Sequence, residues 1–332
     1  MRPRYAGSVL PEVICFRAKL AMFREFCPEV LVERELQGDM DSRLQTLEGM
    51  TLRQAVSVGA NELAGNRDLA ETAVRDAELL LLHALELPRS VLHAYPGRLL
   101  SGVEEAAYRS AIERRMRSEP MQYITGVQEF FGLAFEVGPG VLIPRPETEL
   151  LVEAALDRLP QDRPVRVLDV GTGTGAIAIA VASRLPEAEV VAVDLSAAAL
   201  AMARRNVGRH GLGGRVTLIG SDLLRDVPEV AMPFDAILSN PPYVPEGDRA
   251  GLHPQVRDYE PAEALFAGAD GLAVYRRLLP QAHGALRAGG LLALEIGYGQ
   301  REAIEELLGG WRAVQFLDDL QGIARVALGR RP

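Results

Sequence analysis

A chain of 332 residues that is 48% hydrophobic and 24% charged has the composition of a soluble globular protein with a full core, arranged as one large domain or two ordinary ones. The net charge of −9 argues against a surface that tracks phosphates, and the pairs Arg114-Arg115 and Arg204-Arg205 read as solvated helix faces. Two cysteines (Cys15, Cys27) make no disulfide framework, the five histidines (His83, His93, His210, His253, His283) never approach ligand spacing, and no apolar run nears the ~18 residues of a membrane span. A reduced, cytoplasmic setting without a metal fits these facts.

Residues 1–48 hold both cysteines and Phe16, Phe23 and Phe26 without clean periodicity, and read as an extension or an artefact of start-site choice. Thr51-Leu52-Arg53-Gln54 is a capping-box pattern and the opening of a domain. From there to about Arg117 the reading is helical: Leu52, Val56 and Leu63, then Val74, Leu79, Leu82 and Leu85, recur at helical spacing. Pro88 stops the second helix, and Ser101 with Glu104 opens another through Tyr108 and Ile112 to Met116. Residues 49–120 thus form a small helical domain that docks rather than reacts. Between 121 and 147 the pieces Tyr123–Gly126, Phe130–Leu133 and Phe135–Gly138 read as a glycine-punctuated β-hairpin linker. Thr148 is placed to cap a helix running from Glu149 to Leu159.

From Val165 onward strands and helices alternate. Strand candidates are 165–170, 189–194, 215–220, 234–240, 290–297, 314–318 and 324–329, with helices near 174–185, 197–210, 271–287 and 299–309. That alternation predicts a parallel, doubly wound sheet over 148–332, its last two strands close enough to pair as a hairpin. The strand Val167–Val170 runs into Gly171-Thr172-Gly173-Thr174-Gly175, a turn that lets a ligand approach the backbone closely. Asp194 closes the next strand, 19 residues beyond Gly175, where a carboxylate can accept both ribose hydroxyls. The G-x-G-x-G spacing and Asp169, two residues before the first glycine, depart from the dinucleotide pattern. Asp222 ends the following unit, where it can accept from an adenine amino group. This layout resembles the class I S-adenosylmethionine-dependent methyltransferases, whose Rossmann-like sheet has seven strands; the alternative is a glycine turn that serves no ligand.

Asn240-Pro241-Pro242-Tyr243 closes the apolar run Phe234–Ser239. Two prolines stiffen the backbone and leave carbonyls without ladder partners. Asn240 therefore stands at a strand's C-terminal end, where ligands bind in open α/β sheets. A planar –NH₂ is a poor nucleophile because its lone pair is delocalised. The Asn240 carboxamide oxygen and a freed carbonyl, that of Pro241, can hold its two hydrogens, orient the nitrogen and stabilise growing positive charge. Tyr243 can stack on the planar face. The tetrapeptide resembles the motif of amino-group methyltransferases that act on adenine N6, guanine N2 or a glutamine amide, and does not choose among them.

Further stretches narrow the choice. Gln122–Gly126, Glu129–Gly132, Leu142-Ile143-Pro144-Arg145-Pro146-Glu147-Thr148-Glu149, Ser239–Tyr243, Tyr259-Glu260-Pro261, Asp270-Gly271-Leu272 and Leu294-Glu295-Ile296-Gly297 resemble the HemK/PrmC family over about residues 50–330. The resemblance implies a methyltransferase acting on N5 of the glutamine in the release factors' Gly-Gly-Gln loop; with the composition, the expectation is a cytoplasmic monomer that binds neither nucleic acid nor membrane. It assigns the cofactor to Gly171–Gly175, Asp194, Leu223 and Asn240, and the glutamine to Asn240–Tyr243. Position 223 is often aromatic in that family, so a leucine there packs on adenine less strongly. Arg145 and Glu147 would lie near the substrate mouth, or serve only as a salt bridge and a helix start. Phe130 would wall the glutamine pocket, or belong with Phe131 to the hairpin core. The helical domain would contact the release factor body. The sister family that methylates a ribosomal-protein glutamine is expected to carry a Val-Pro-Arg-Ser type segment instead. A nucleic-acid amino methyltransferase would need a basic rim and an insertion after Tyr243, where this chain has the acidic stretch Val244–Glu263.

Overall fold

The computed structural model describes residues 49–332; the expected extension lies outside the described residues. The helical part opens with α1 (Leu52–Ala64), where the Thr51 hydroxyl accepts from Gln54 N and the Gln54 Oε1 accepts from Thr51 N at 2.9 Å. Such a cap contributes about 1 kcal/mol. α2 (Ala73–Leu85) stops at a left-handed Glu86, just before Pro88, and α3 (Ser90–Ala94) is a single short helix. α4 (Gly102–Met116) begins at the second capping box, Ser101 with Glu104. Together they bury Leu52, Leu63, Leu80, Leu81, Tyr108 and Ile112 in a core of their own.

Two sequence readings change here. Val74 and Leu79 are 60% and 41% exposed, while Ala73, Ala77, Leu80 and Leu81 face inward. Ala73, Ala77, Leu80 and Leu81 recur at helical spacing and set the inward face, to which Leu82 of the expected residues also belongs. A Cβ at Gly59 would collide with the Tyr108 hydroxyl, which donates to the Ala55 carbonyl at 3.2 Å. Nor are Arg114 and Arg115 a solvated face. Arg114 pairs with Glu119, and Arg115 is buried, donating to Asp76 at 2.8 Å and to Gln255 at 3.2 Å.

The next stretch, read as strand, is the short helix α5 (Met121–Thr125), started after Pro120 and ended by Gly126 at φ +76°. Its Tyr123 is buried and donates to the Val141 carbonyl, so tertiary packing overrides the β-branched residues' preference. The hairpin itself is β1 (Val127–Phe130) paired antiparallel with β2 (Leu133–Glu136). α6 (Glu147–Leu156) starts earlier than expected, with Pro146 and not Thr148 at its cap.

The large sheet is built from β3 (Arg166–Val170), β4 (Glu189–Asp194), β5 (Val216–Gly220), β6 (Phe234–Ser239), β7 (Leu286–Glu295), β8 (Arg312–Asp318) and β9 (Ala324–Arg330), in the order β5-β4-β3-β6-β7-β9-β8. Interleaved with them are α7 (Ala176–Arg184), α8 (Ala197–Arg209), the short α9 (Pro254–Arg257), α10 (Ala273–Ala285) and α11 (Arg301–Leu307). The sheet is parallel except for β9, which runs antiparallel between β7 and β8 because a short turn makes β8 and β9 a hairpin. Hydrophobic clusters cover both faces, as the near-continuous apolar strands require. From β3 the chain goes out to β4 and β5 and then returns to β6 and β7 on the other side. The loops after β3 and β6 thus flank a topological switch point, the place where doubly wound sheets bind ligands. No helix among the described residues is long and apolar enough to cross a membrane.

Candidate active site

Val170 pairs with Ser239 in the sheet register, so Gly171 and Asn240 are the first residues beyond that pair on adjacent strands. Gly171, Gly173 and Gly175 all have positive φ, at 73°, 55° and 84°. At Gly175, the cap of α7, a Cβ would also lie 3.2 Å from Ile179 Cδ1. Glycine is demanded there twice, by conformation and by packing. Beneath the loop, the Asp169 Oδ2 accepts from the Thr172 hydroxyl at 2.6 Å and from Ala178 N at 3.2 Å. Its Oδ1 is buried with no partner among the described residues. Burial raises the Asp169 carboxyl to about 7, opposed by those two hydrogen bonds.

Across the switch point, Asp194 accepts from Gly173 N and Ser196 N, each at 2.8 Å, one on each oxygen. Burial pushes its carboxyl up, while these backbone donors pull it down. A carboxylate has about four acceptor sites, so lone pairs remain on both oxygens for a ligand's hydroxyls. Gly171, Thr172, Gly173, Thr174, Asp194, Asp222, Leu223, Asn240 and Pro242 all line one cavity of about 590 Å³. That volume lies in the range of small-molecule and cofactor sites. A nucleoside fits this set of acceptors, with its hydroxyls meeting the open lone pairs of Asp194.

Asn240 sits on the cavity wall, half-buried. Its Nδ2 donates to Thr148 Oγ1 at 3.1 Å, and the Thr148 hydroxyl donates to Glu295 Oε2 at 2.6 Å. Glu295 Oε1 accepts from the Tyr243 hydroxyl at 3.4 Å. Burial raises the Glu295 carboxyl to about 7, opposed first by the Thr148 hydrogen bond. Burial likewise pushes the Tyr243 phenol up, followed by the charge of Glu295. The Tyr243 carbonyl accepts from Gln300 Nε2 at 2.9 Å, and the other end of that amide accepts from Gly297 N at 2.9 Å. A Cβ at Gly271 would collide with the Tyr243 carbonyl, so the glycine allows the loop to close on it.

The remaining expected residues lie elsewhere. Gly175, Pro241, Tyr243, Phe130, Arg145 and Glu147 do not line this cavity. Phe130 is fully buried and packs edge-on against Phe135, 6.0 Å between centroids; it is core rather than pocket wall, because it points from the hairpin into the main apolar cluster. Arg145 donates to both carboxylate oxygens of the buried Glu260 at 2.7 Å, which is the salt-bridge alternative. Asp222 is engaged by Arg277 at 2.5 Å, so its acceptor capacity is shared with a cation that also lines the cavity. Sequence reasoning missed Arg277, Thr148 and Glu295 as neighbours of the site. Only contacts across 55 and 147 positions of chain reveal them.

Comparison with known proteins supplies the family. Residues 54–126 match the PrmC N-terminal domain model, and residues 146–253 match the methyltransferase small domain model. The release factor glutamine methyltransferase of Koribacter versatilis is 44% identical over 285 residues, 85% of this chain and 99% of its own length. That of Moorella thermoacetica is 45% identical over the same shares. Among solved structures, the hMettl16 catalytic domain in complex with the MAT2A 3′UTR hairpin 6 is 18% identical, with a TM-score of 0.51 over 63% of this chain and 79% of that one. It shares the fold alone. From its sequence over nearly the full length of those relatives, this chain belongs to the release factor glutamine methyltransferase family.

Proposed function

We propose that this protein transfers a methyl group from S-adenosylmethionine to N5 of the glutamine in the Gly-Gly-Gln loop of peptide chain release factors. The observation that carries the reading is the orientation of Asn240. Its Nδ2 is spent on Thr148, which leaves the carboxamide oxygen without a hydrogen-bond partner among the described residues, at the wall of the cavity. An acceptor in that place suits a substrate that is itself an amide N–H donor. Family membership supplies the substrate class.

S-adenosylmethionine, when bound, supplies an electrophilic methyl group on a sulfonium centre. Asp194 would hold the ribose hydroxyls, the Gly171–Gly175 loop would lie along the amino-acid tail, and Leu223 would pack beside adenine with Asp222 at its amino group. The Asn240 oxygen and the Pro241 carbonyl would each accept one N–H of the glutamine amide, turning its nitrogen towards the methyl donor. Both oxygens stabilise the positive charge that grows on that nitrogen. No group need remove a proton before transfer. Tyr243 would bound the glutamine's planar face. Residues 49–120 would dock on the body of the release factor and 121–147 would link the two parts. We take the working unit to be a cytoplasmic monomer. Labelled methyl should appear on unmodified release factor and not on one whose Gly-Gly-Gln glutamine is replaced by alanine. Equal labelling of both would overturn the reading.

A further inference from the structure

We infer that Thr148 and Glu295 are positioning residues that fix which way round the Asn240 carboxamide stands; the inference rests on the proposed amide substrate. A threonine hydroxyl carries one hydrogen. Here that hydrogen goes to Glu295 Oε2 at 2.6 Å, so towards Asn240 the oxygen can only accept. Asn240 must then present its –NH₂ to Thr148 and its oxygen to the opposite side. An amide turned by 180° would set oxygen against oxygen and place two N–H donors where the substrate amide needs an acceptor.

The arrangement follows from the fold. Ser239 pairs with Leu294, so Glu295 is the next residue on β7, level with Asn240 beyond the end of β6. Thr148 reaches both from the first turn of α6. Thr148 and Glu295 are 4% and 2% exposed, so water does not compete for the hydroxyl. The Tyr243 phenol at Glu295 Oε1 fills a second acceptor site and ties the same carboxylate to the far end of the Asn-Pro-Pro-Tyr turn. Above about pH 7, where Glu295 is ionised, the Thr148 hydroxyl donates to a charged acceptor, and the bias towards the productive orientation is on the order of tenfold to a hundredfold.

The test compares wild type, Thr148→Val, Thr148→Ser and Glu295→Gln with unmodified release factor. Valine keeps the volume and removes the acceptor. With neither orientation favoured, about half of the enzyme presents the carboxamide oxygen, so we expect kcat to fall about twofold, with S-adenosylmethionine Kd unchanged. Serine, which keeps the hydroxyl, should hold kcat at the wild-type value. Glutamine at 295 can donate to Thr148 as readily as accept from it, which leaves the two orientations about equally populated, so kcat should fall about twofold. This second variant keeps the test decisive should the valine variant not fold. Wild-type kcat in the valine or glutamine variant overturns the inference, as does a serine variant as slow as the valine one. A wild-type enzyme that leaves the glutamine unmodified instead overturns the proposed function itself.

Discussion

Replacing Gly271 by alanine should slow methyl transfer by acting on Tyr243 rather than on the cofactor loop. Gly271 has φ +74°, and its new Cβ would collide with the Tyr243 carbonyl and lie 2.7 Å from Gln300 Nε2. The left-handed backbone alone costs about 1–2 kcal/mol for a residue with a Cβ. Losing the 2.9 Å bond from Gln300 to Tyr243 costs about 1 kcal/mol more. Together these lower Tm by roughly 3–4 °C for a protein of this size. The carbonyl must also retreat by about 1 Å, and a displacement of that size at a positioned group can cost up to about 10²-fold in rate. Initial rates over a range of release factor concentrations, with calorimetric binding of S-adenosylmethionine, separate the effects: kcat should fall about tenfold to a hundredfold while cofactor affinity holds. A variant with wild-type kcat and Tm would refute the claim that this glycine is what lets the loop close on Tyr243.

Other perturbations reach other parts of the account. Asn240→Ala should lower kcat by on the order of 10²–10³-fold while S-adenosylmethionine still binds, checked by single-turnover kinetics and calorimetry; full activity would sink the mechanism. Gly59→Ala should destabilise the helical part, because its Cβ displaces the Tyr108 hydroxyl; adding Tyr108→Phe should recover part of the lost Tm. Glu295 is held at about 7 in the fold, above its unfolded value, so its contribution to stability is full below about pH 4.5 and is lost as pH rises towards 7. The groups acting on it are Thr148 and Glu147 from α6, Tyr243 after β6 and Arg325 on β9. That loss amounts to about 3 kcal/mol. Glu295→Gln should therefore flatten the fall in Tm between pH 5 and 7, and a curve parallel to wild type would show that the group does not titrate there.

How legible these features were depends on how far apart in the chain their causes lie. The loops after β3 and β6 could be read directly, since an apolar run broken by glycines or prolines carries its own punctuation. The same holds for the two capping boxes, which need only residues three apart. Thr148 could not be read that way. Its sequence neighbours suggest a cap, and only the fold brings Glu295 and Asn240 to its hydroxyl. Asp222 likewise looks free until Arg277 is brought beside it. On α2 Val74 and Leu79 suggested one face, whereas Ala73, Ala77, Leu80 and Leu81 form the inward one; in a run of four consecutive leucines the spacing alone does not choose between them. Tyr123 to Thr125 favour strand by local preference, yet Pro120, Gly126 and the burial of Tyr123 make one short helix.

The central claim is most directly tested by incubating the protein with S-adenosylmethionine and purified, unmodified release factor, then taking fragment spectra of the Gly-Gly-Gln peptide. The account predicts one added methyl group on the glutamine side-chain amide. An unchanged peptide, with methyl groups found instead on a ribosomal protein or a nucleic acid, would contradict it.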